Sequence, residues 1–311
     1  MAEEAVPADY PPVSVVITTL GKRPELLARA VRHVFDQDYA GHVQCIVVFD
    51  RPEVGEVGVE PPADRELVVV TNSHHQGLPG GRNCGVEIAK GELLGFCDDD
   101  DYWRLDKLRL QADLLNAQPD VGAVACGARV EGPGIERDRY LERERVTLED
   151  VIADRVMEVH PGSLLVPRAT WAAVGGLDEH IPGGYAEDYE WVLRLAAYKP
   201  IGIVPDPLYV IEWHGQSYYF ARWPMIIEAL RYLMARHPEL ARSRAGLARI
   251  HGQIAFALAS SRKRGEAIRE LRTVIRLNPR EKRIVATLPV LLGVVSGERL
   301  LAMAQKRGRG I

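Results

Sequence analysis

The chain of 311 residues has no uninterrupted apolar run of the ~18 residues a membrane-spanning helix needs, so no spanning segment is predicted. It has only four cysteines, Cys45, Cys84, Cys97 and Cys126, and no CxxC pair among them. That spacing offers no zinc site, and three of the four sit on or beside apolar runs, which predicts reduced, buried thiols. Positive charge is not in excess. The formal net charge is −4, which argues against a dedicated nucleic-acid binder. The start, Met1-Ala-Glu-Glu, lacks the apolar core of a signal peptide, so a cytoplasmic protein is expected. No Gly-Lys-Ser/Thr follows the glycine-rich stretch near residue 80, which excludes a P-loop.

What is present is ordinary in bulk and unusual in one place. Hydrophobic residues make up 47% and charged residues 26%, as in a soluble globular protein. In the middle of the first half, Leu93 to Cys97 is an apolar run that ends in Asp98-Asp99-Asp100-Asp101. Four adjacent carboxylates repel one another unless they point apart, take up protons or meet a cation. A hard divalent cation bound by one or two of them would keep positions open for phosphate oxygens. An acidic turn capping the helix from Leu105 is the plain alternative.

The chain before the cluster alternates strand and helix. Val13 to Thr18 is a β-branched strand, Pro24 opens a helix to about Gln37, Cys45–Phe49 is a second strand ending at Asp50, and Leu67–Thr71 is a third. Such alternation predicts βαβ units and a largely parallel sheet, whose ligands gather at the C-terminal strand ends. Thr19, Asp50 and the Asp cluster all fall at such ends. Gly77 to Asn83 reads as a loop that could cradle an anion, with Arg82 as a cation suited to a diphosphate. Residues 131–146 read as a charged, irregular, mobile loop, and Ile201–Val204 and Leu208–Ile211 as two short strands.

A second loaded stretch is Gly183-Gly184-Tyr185-Ala186-Glu187-Asp188, at the start of a helix to about Tyr198. Acids in a first turn complement the helix dipole, and a carboxylate at such a junction can also take a proton from a nucleophile. Glu212-Trp213-His214-Gly215-Gln216-Ser217 follows the last strand.

Taken together, these residues resemble the family 2 glycosyltransferases. The resemblance runs from about Val13 to Ser217. It is carried by Val13–Thr19 with Arg23-Pro24, the strand ending in Asp50, Gly81-Arg82-Asn83-Cys84-Gly85 with Lys90-Gly91-Glu92, Asp98-Asp99-Asp100, Gly175 to Glu179, Glu187-Asp188 and His214. Two features depart from the family pattern: Phe49-Asp50-Arg51-Pro52 replaces Asp-Asp-Gly-Ser, and Thr18 replaces a proline. The resemblance implies a GT-A fold: α/β, with a Rossmann-like, mostly parallel central sheet flanked by helices. It implies transfer, with inversion, of a sugar from a nucleotide-diphosphate donor to a hydroxyl-bearing acceptor (a saccharide, a lipid-linked glycan or a small molecule). It implies Mg²⁺ or Mn²⁺ as cofactor. By resemblance Asp188 is the general base, with Glu187 its competitor. Thr19 and Asp50 hold the nucleotide base, Asp98 and Asp99 face the nucleotide, and Arg82 faces the diphosphate. Asp98 and Asp100 are the metal-binding pair, in a register open by one residue within Asp98 to Asp101, and His214 is a third metal ligand or a diphosphate contact.

Residues 1–12, with three prolines, read as a disordered lead-in to a catalytic unit of residues 13–220. From residue 221 to 311 amphipathic helices are expected, with Ile254 to Pro279 spaced like one tetratricopeptide unit that caps the catalytic unit. Ile284 to Val295 is apolar. It reads as a core helix or, with the basic stretch Lys306 to Arg309, as a peripheral contact with the inner membrane face. Two other classes stay open: a nucleotidyltransferase that forms sugar nucleotides, and a non-catalytic scaffold built on the tail.

Overall fold

The computed structural model describes residues 10–214 and 219–305. Its first third is β1 (Val13–Thr19), α1 (Pro24–Phe35), β2 (Val43–Phe49), β3 (Arg65–Thr71), α2 (Leu78–Ile88) and β4 (Leu93–Asp98). These strands lie in the order β3-β2-β1-β4, all parallel, with Thr18 beside Asp98 and Thr19 beside Phe49. Alternation along β1 serves two cores. Val13, Val15 and Ile17 meet Leu27, Val31 and Val34 of α1 on one face, while Val16 joins Phe96 and Cys84 on the other. All four cysteines are buried free thiols.

The middle third comprises β5 (Tyr102–Trp103), α3 (Lys107–Ala117), β6 (Ala123–Gly132), β7 (Ile135–Arg139), β8 (Arg145–Val146), α4 (Leu148–Ala153), β9 (Leu165–Pro167), α5 (Arg168–Val174), α6 (Glu187–Tyr198) and β10 (Ile201–Glu212). Here the sheet turns mixed. β9 runs antiparallel between β4 and β6, β10 is parallel to β6, and β5 is antiparallel to β10. The rest is helical: α7 (Trp223–Arg236), α8 (Arg244–Ser260), α9 (Arg264–Leu277), α10 (Lys282–Leu291) and α11 (Gly297–Gln305).

Several local readings of the sequence change. The glycine-rich stretch after Gly77 is not a loop but the first turns of α2. Its glycines serve packing: a Cβ on Gly81 would stand 2.3 Å from the Thr18 side chain. Residues 131–146 are irregular only in part, at 140–144, because β7 folds back on β6 as a hairpin and β8 pairs with β10. The two short strands after residue 200 are one strand, β10, with its register shifted around Pro205 to Pro207. The two-residue β5 left no periodic signal. Gly215 to Ser217, Lys306 to Arg309 and residues 1–9 of the expected lead-in lie outside the described residues; Tyr10 stacks edge-on against Tyr39.

The helices after β10 pack on the sheet-bearing part. One apolar cluster runs from Val16, Leu94 and Phe96 through Trp191 and Leu193 to Ile227, Leu230, Ile250 and Ile254. α8 approaches α4 backbone to backbone, since a Cβ on Gly246 would meet the Ile152 carbonyl oxygen at 1.8 Å. α10 differs from a core helix: Thr287 and Val290 are buried, while Val285, Leu288 and Leu292 are exposed.

Candidate active site

Parallel strands bring their C-terminal ends to one edge, and β1, β2 and β4 deliver Thr19, Asp50 and Asp98 there. The four aspartates after β4 avoid mutual repulsion by turning to different partners. Asp98 accepts from Arg82 Nη2 at 2.8 Å. Asp99 is buried and accepts from the Thr19 hydroxyl at 2.5 Å and from Arg23 Nη2 at 2.8 Å. Asp100 pairs with the other arm of Arg23, and its backbone carbonyl accepts from Arg29. Asp101 points into the core, where it accepts from the Tyr209 hydroxyl at 2.5 Å and from the Glu212 N–H at 2.9 Å. Burial pushes the Asp101 carboxyl well above the usual range, and the charges of Asp98 and Asp100 add to it. Burial raises Asp99 too, against the pull of Thr19 and Arg23.

Glu187 and Asp188 open α6 directly after Ala186, which has a left-handed backbone (φ 66°). Arg82 joins this helix to the Asp cluster. One arm holds Asp98, the other holds Glu187 Oε1 at 3.1 Å, and the side chain is 6% exposed. Burial disfavours its charge, yet the two carboxylates outweigh that and keep it protonated. On Glu187, burial and the neighbouring Asp188 charge raise the pKa, with Arg82 and Arg155 opposing. Asp188 goes the other way. Burial opposes its ionisation, but the Arg155 guanidinium paired with it and the Tyr189 N–H, 2.7 Å from its Oδ1, hold its pKa below the usual range.

Asp50 is buried with both oxygens engaged, by Asn72 Nδ2 at 2.8 Å and the Gly77 N–H at 2.9 Å. It thereby ties the β3–α2 connection to the end of β2. His214 Nε2 stands 3.4 Å from Asp100 Oδ2. No group of three or more His, Cys, Asp or Glu side chains gathers as a metal cage among the described residues. The donor set still fits a hard divalent cation. Such ions are often held by one or two carboxylates plus substrate phosphates and water, and Asp98, Asp100 and His214 offer that much.

Three residues at the site were given no role by the sequence reading. Arg23, just before α1, spans Asp99 and Asp100. Arg155, after α4, reaches Asp188 from a stretch with no motif. His160 stacks edge-on against Tyr209, and its buried Nε2 has no hydrogen-bond partner. Burial drives the His160 pKa down to about 4 although Asp98 and Asp188 pull the other way, so it is neutral at pH 7. Only its place before Pro161-Gly162 marked it in the sequence.

A family model described as glycosyl transferase family 2 matches residues 14–165. A UDP-Glc:α-D-GlcNAc-diphosphoundecaprenol β-1,3-glucosyltransferase of Escherichia coli, WfaP, is 34% identical over 55 residues. That match covers 18% of this chain and 22% of the relative. The structure of Staphylococcus aureus TarS 1–349 in complex with UDP-GlcNAc superposes with a TM-score of 0.60 at 16% identity, covering 96% of this chain and 92% of TarS 1–349. The mannosyltransferase PcManGT of Pyrobaculum calidifontis, in complex with GDP-Man and Mn²⁺, superposes with a TM-score of 0.52 at 18% identity, covering 95% and 88%.

Proposed function

The chain has the GT-A fold, and from that premise we propose that it is a family 2 glycosyltransferase that transfers a sugar from a nucleotide-diphosphate donor to an acceptor hydroxyl, with inversion. The observation that carries the reading is the Arg82 bridge. A single buried guanidinium joins Asp98, at the end of β4, to Glu187, at the start of α6, so the two acidic motifs face one another across it.

Thr19, Asp50 and Asp99 form the nucleotide side. Asp50 fixes the β3–α2 connection that walls the base pocket, and Thr19 fixes Asp99. Asp98, Asp100 and His214 would hold Mg²⁺ or Mn²⁺. When bound there, the cation neutralises the charge that develops on the leaving diphosphate. The solved PcManGT, in complex with GDP-Man and Mn²⁺, supports that choice of metal.

Asp188 is the base. The acceptor oxygen bonds to the anomeric carbon on the face opposite the diphosphate, its proton passes to Asp188, and the diphosphate departs with the electron pair of the broken bond. Arg155 keeps Asp188 ionised and oriented for that step. Glu187 is a poorer candidate, because it is held by Arg82 and burial favours its protonated form. His160, neutral and with Nε2 free of protein partners, is a hydrogen-bond group for a sugar hydroxyl between the two acidic motifs.

The test has two arms. Thermal shift against a panel of nucleoside diphosphates, with Mn²⁺ and with EDTA, should show metal-dependent stabilisation, ~2.7 kcal/mol at a hundredfold excess over Kd. Equal stabilisation in EDTA would remove the metal from the reading. Asp188→Asn should lower kcat by at least ~10² while calorimetric donor affinity stays within a few fold. If Glu187→Gln abolishes turnover and Asp188→Asn does not, the base is Glu187.

A further inference from the structure

Four large apolar side chains on one stretch of the surface have no cover. Val285, Leu288 and Leu292 are 74%, 44% and 72% exposed and recur at helical spacing along α10, and Val294 beyond it is 78% exposed. The opposite side of the helix is seated: Thr287 and Val290 are buried, and Arg283 lies against Gly252 of α8.

The exposed end is held in shape. Gly293 has φ 77°, its N–H bonds the Val290 carbonyl at 3.0 Å, and the Val294 N–H bonds the Pro289 carbonyl at 2.9 Å. That pair of bonds is a Schellman cap, which ends the helix sharply and leaves Leu292 and Val294 presented side by side.

Charge in the C-terminal sequence runs against the rest of the molecule. The whole chain is −4, yet residues 281–311 carry Lys282, Arg283, Arg299, Lys306, Arg307 and Arg309 against Glu281 and Glu298, and among the described residues Arg283 is paired with Glu281. A second copy is a poor occupant: four side chains offer far less than the ~800 Å² per partner of a stable interface, and the local positive charge would repel itself. An anionic lipid surface needs only shallow insertion of an apolar stripe with cations at the headgroup level.

We propose that the α10–α11 face docks on an anionic lipid bilayer, with Val285, Leu288, Leu292 and Val294 in the interface and Lys282 and Arg299 on the headgroups. Two contacts lead from this face toward the start of α6. α11 is tied to α7 by Trp223 Nε1, which donates to Glu298 Oε1 at 3.1 Å. α7 packs on Pro182–Gly184, immediately before Glu187 and Asp188.

The experiment is co-sedimentation of the full chain with vesicles of phosphatidylcholine alone or with roughly a third phosphatidylglycerol. Binding is expected only to the anionic vesicles, weakening as salt rises. Leu292→Asp/Val294→Asp should reduce the bound fraction at least ~tenfold with an unchanged melting curve, because both side chains are exposed. Val285→Asp, and separately Lys282→Glu/Arg299→Glu, should reduce it as well. The proposal is overturned if the wild type stays in the supernatant with anionic vesicles or if the variants bind as the wild type does. It is also overturned if sedimentation equilibrium gives a dimer that the double Asp variant dissolves. The assay reads lipid binding alone, so its failure and a failure of the glycosyl-transfer reading are separate results.

Discussion

Around Asp188 and Asp100 the decisive partners are arginines to which the sequence reading gave no role. Arg155 holds the Asp188 pKa down, so the acid limb that the proposed base would set on kcat is expected below the usual carboxylate range. Removing the cation removes a preference for the ionised form. Arg155→Leu should therefore move that limb to higher pH and lower kcat most in acid, with recovery as pH rises. A pH–kcat profile of the two proteins checks it; coincident acid limbs would mean that Arg155 only packs. Arg23 occupies Asp99 and Asp100, and Asp100 is one of the carboxylates a divalent cation would approach. Arg23→Ala should tighten binding of Mn²⁺ alone, read by calorimetry, by several fold, because a competing cation is gone. Unchanged or weaker Mn²⁺ binding would remove Arg23 as a competitor.

At the scale of the element, α6 shows why three acids in one helical turn need not share a role. Glu187 faces Arg82, Asp188 faces Arg155, and Glu190 faces the helical tail. Glu190 is fully buried and accepts from Arg194 at 2.7 Å and from Arg236 and His237 at 3.1 Å each. Burial opposes its ionisation, yet His237 and Arg194 outweigh that and bring its pKa to about 2. Burial likewise opposes the charge on His237, but Glu190 and Glu239 raise its pKa above 6.5. The stabilisation from His237 is thus complete below pH 6.5 and is lost as pH rises through its folded value. That from Glu190 is present above 4.5 and is lost as pH falls toward 2. His237→Gln should lower Tm most near pH 6 and little near pH 9, and a gap that does not change with pH would sink the assignment. Glu190→Gln leaves buried cations without their anion and should cost ~3 kcal/mol in chemical unfolding.

For the molecule as a whole, a catalytic unit of residues 13–220 with a helical extension of residues 221–311 is a proposal that truncation can test. The apolar cluster crosses the boundary, with Trp191 and Leu193 in contact with the same core as Ile227 and Ile250. A chain ended at residue 220 should therefore aggregate or bind a hydrophobic dye. A soluble, monomeric and active truncation would show two independent units. How much was legible beforehand follows from where each signal resides. The parallel strands β1, β2 and β4, and the polar residues at their ends, could be read from apolar runs that stop at a polar residue. Glu187 and Asp188 could be read because loop, acid pair and helix are adjacent in the chain. These are local patterns, and local pattern is what a sequence by itself determines. The Arg82 bridge spans 105 residues to Glu187, the Arg155 pair 33 to Asp188, and the Arg23 clamp 76 to Asp99. An arginine is long, charged and tolerated on any surface, so nothing in its neighbours says which distant carboxylate it will reach. The glycines of α2 mimicked an anion loop for a related reason: a missing Cβ serves close packing on Thr18 as well as close approach of a ligand. Only the tertiary structure decides between those uses, because only folding brings the partner atom within range.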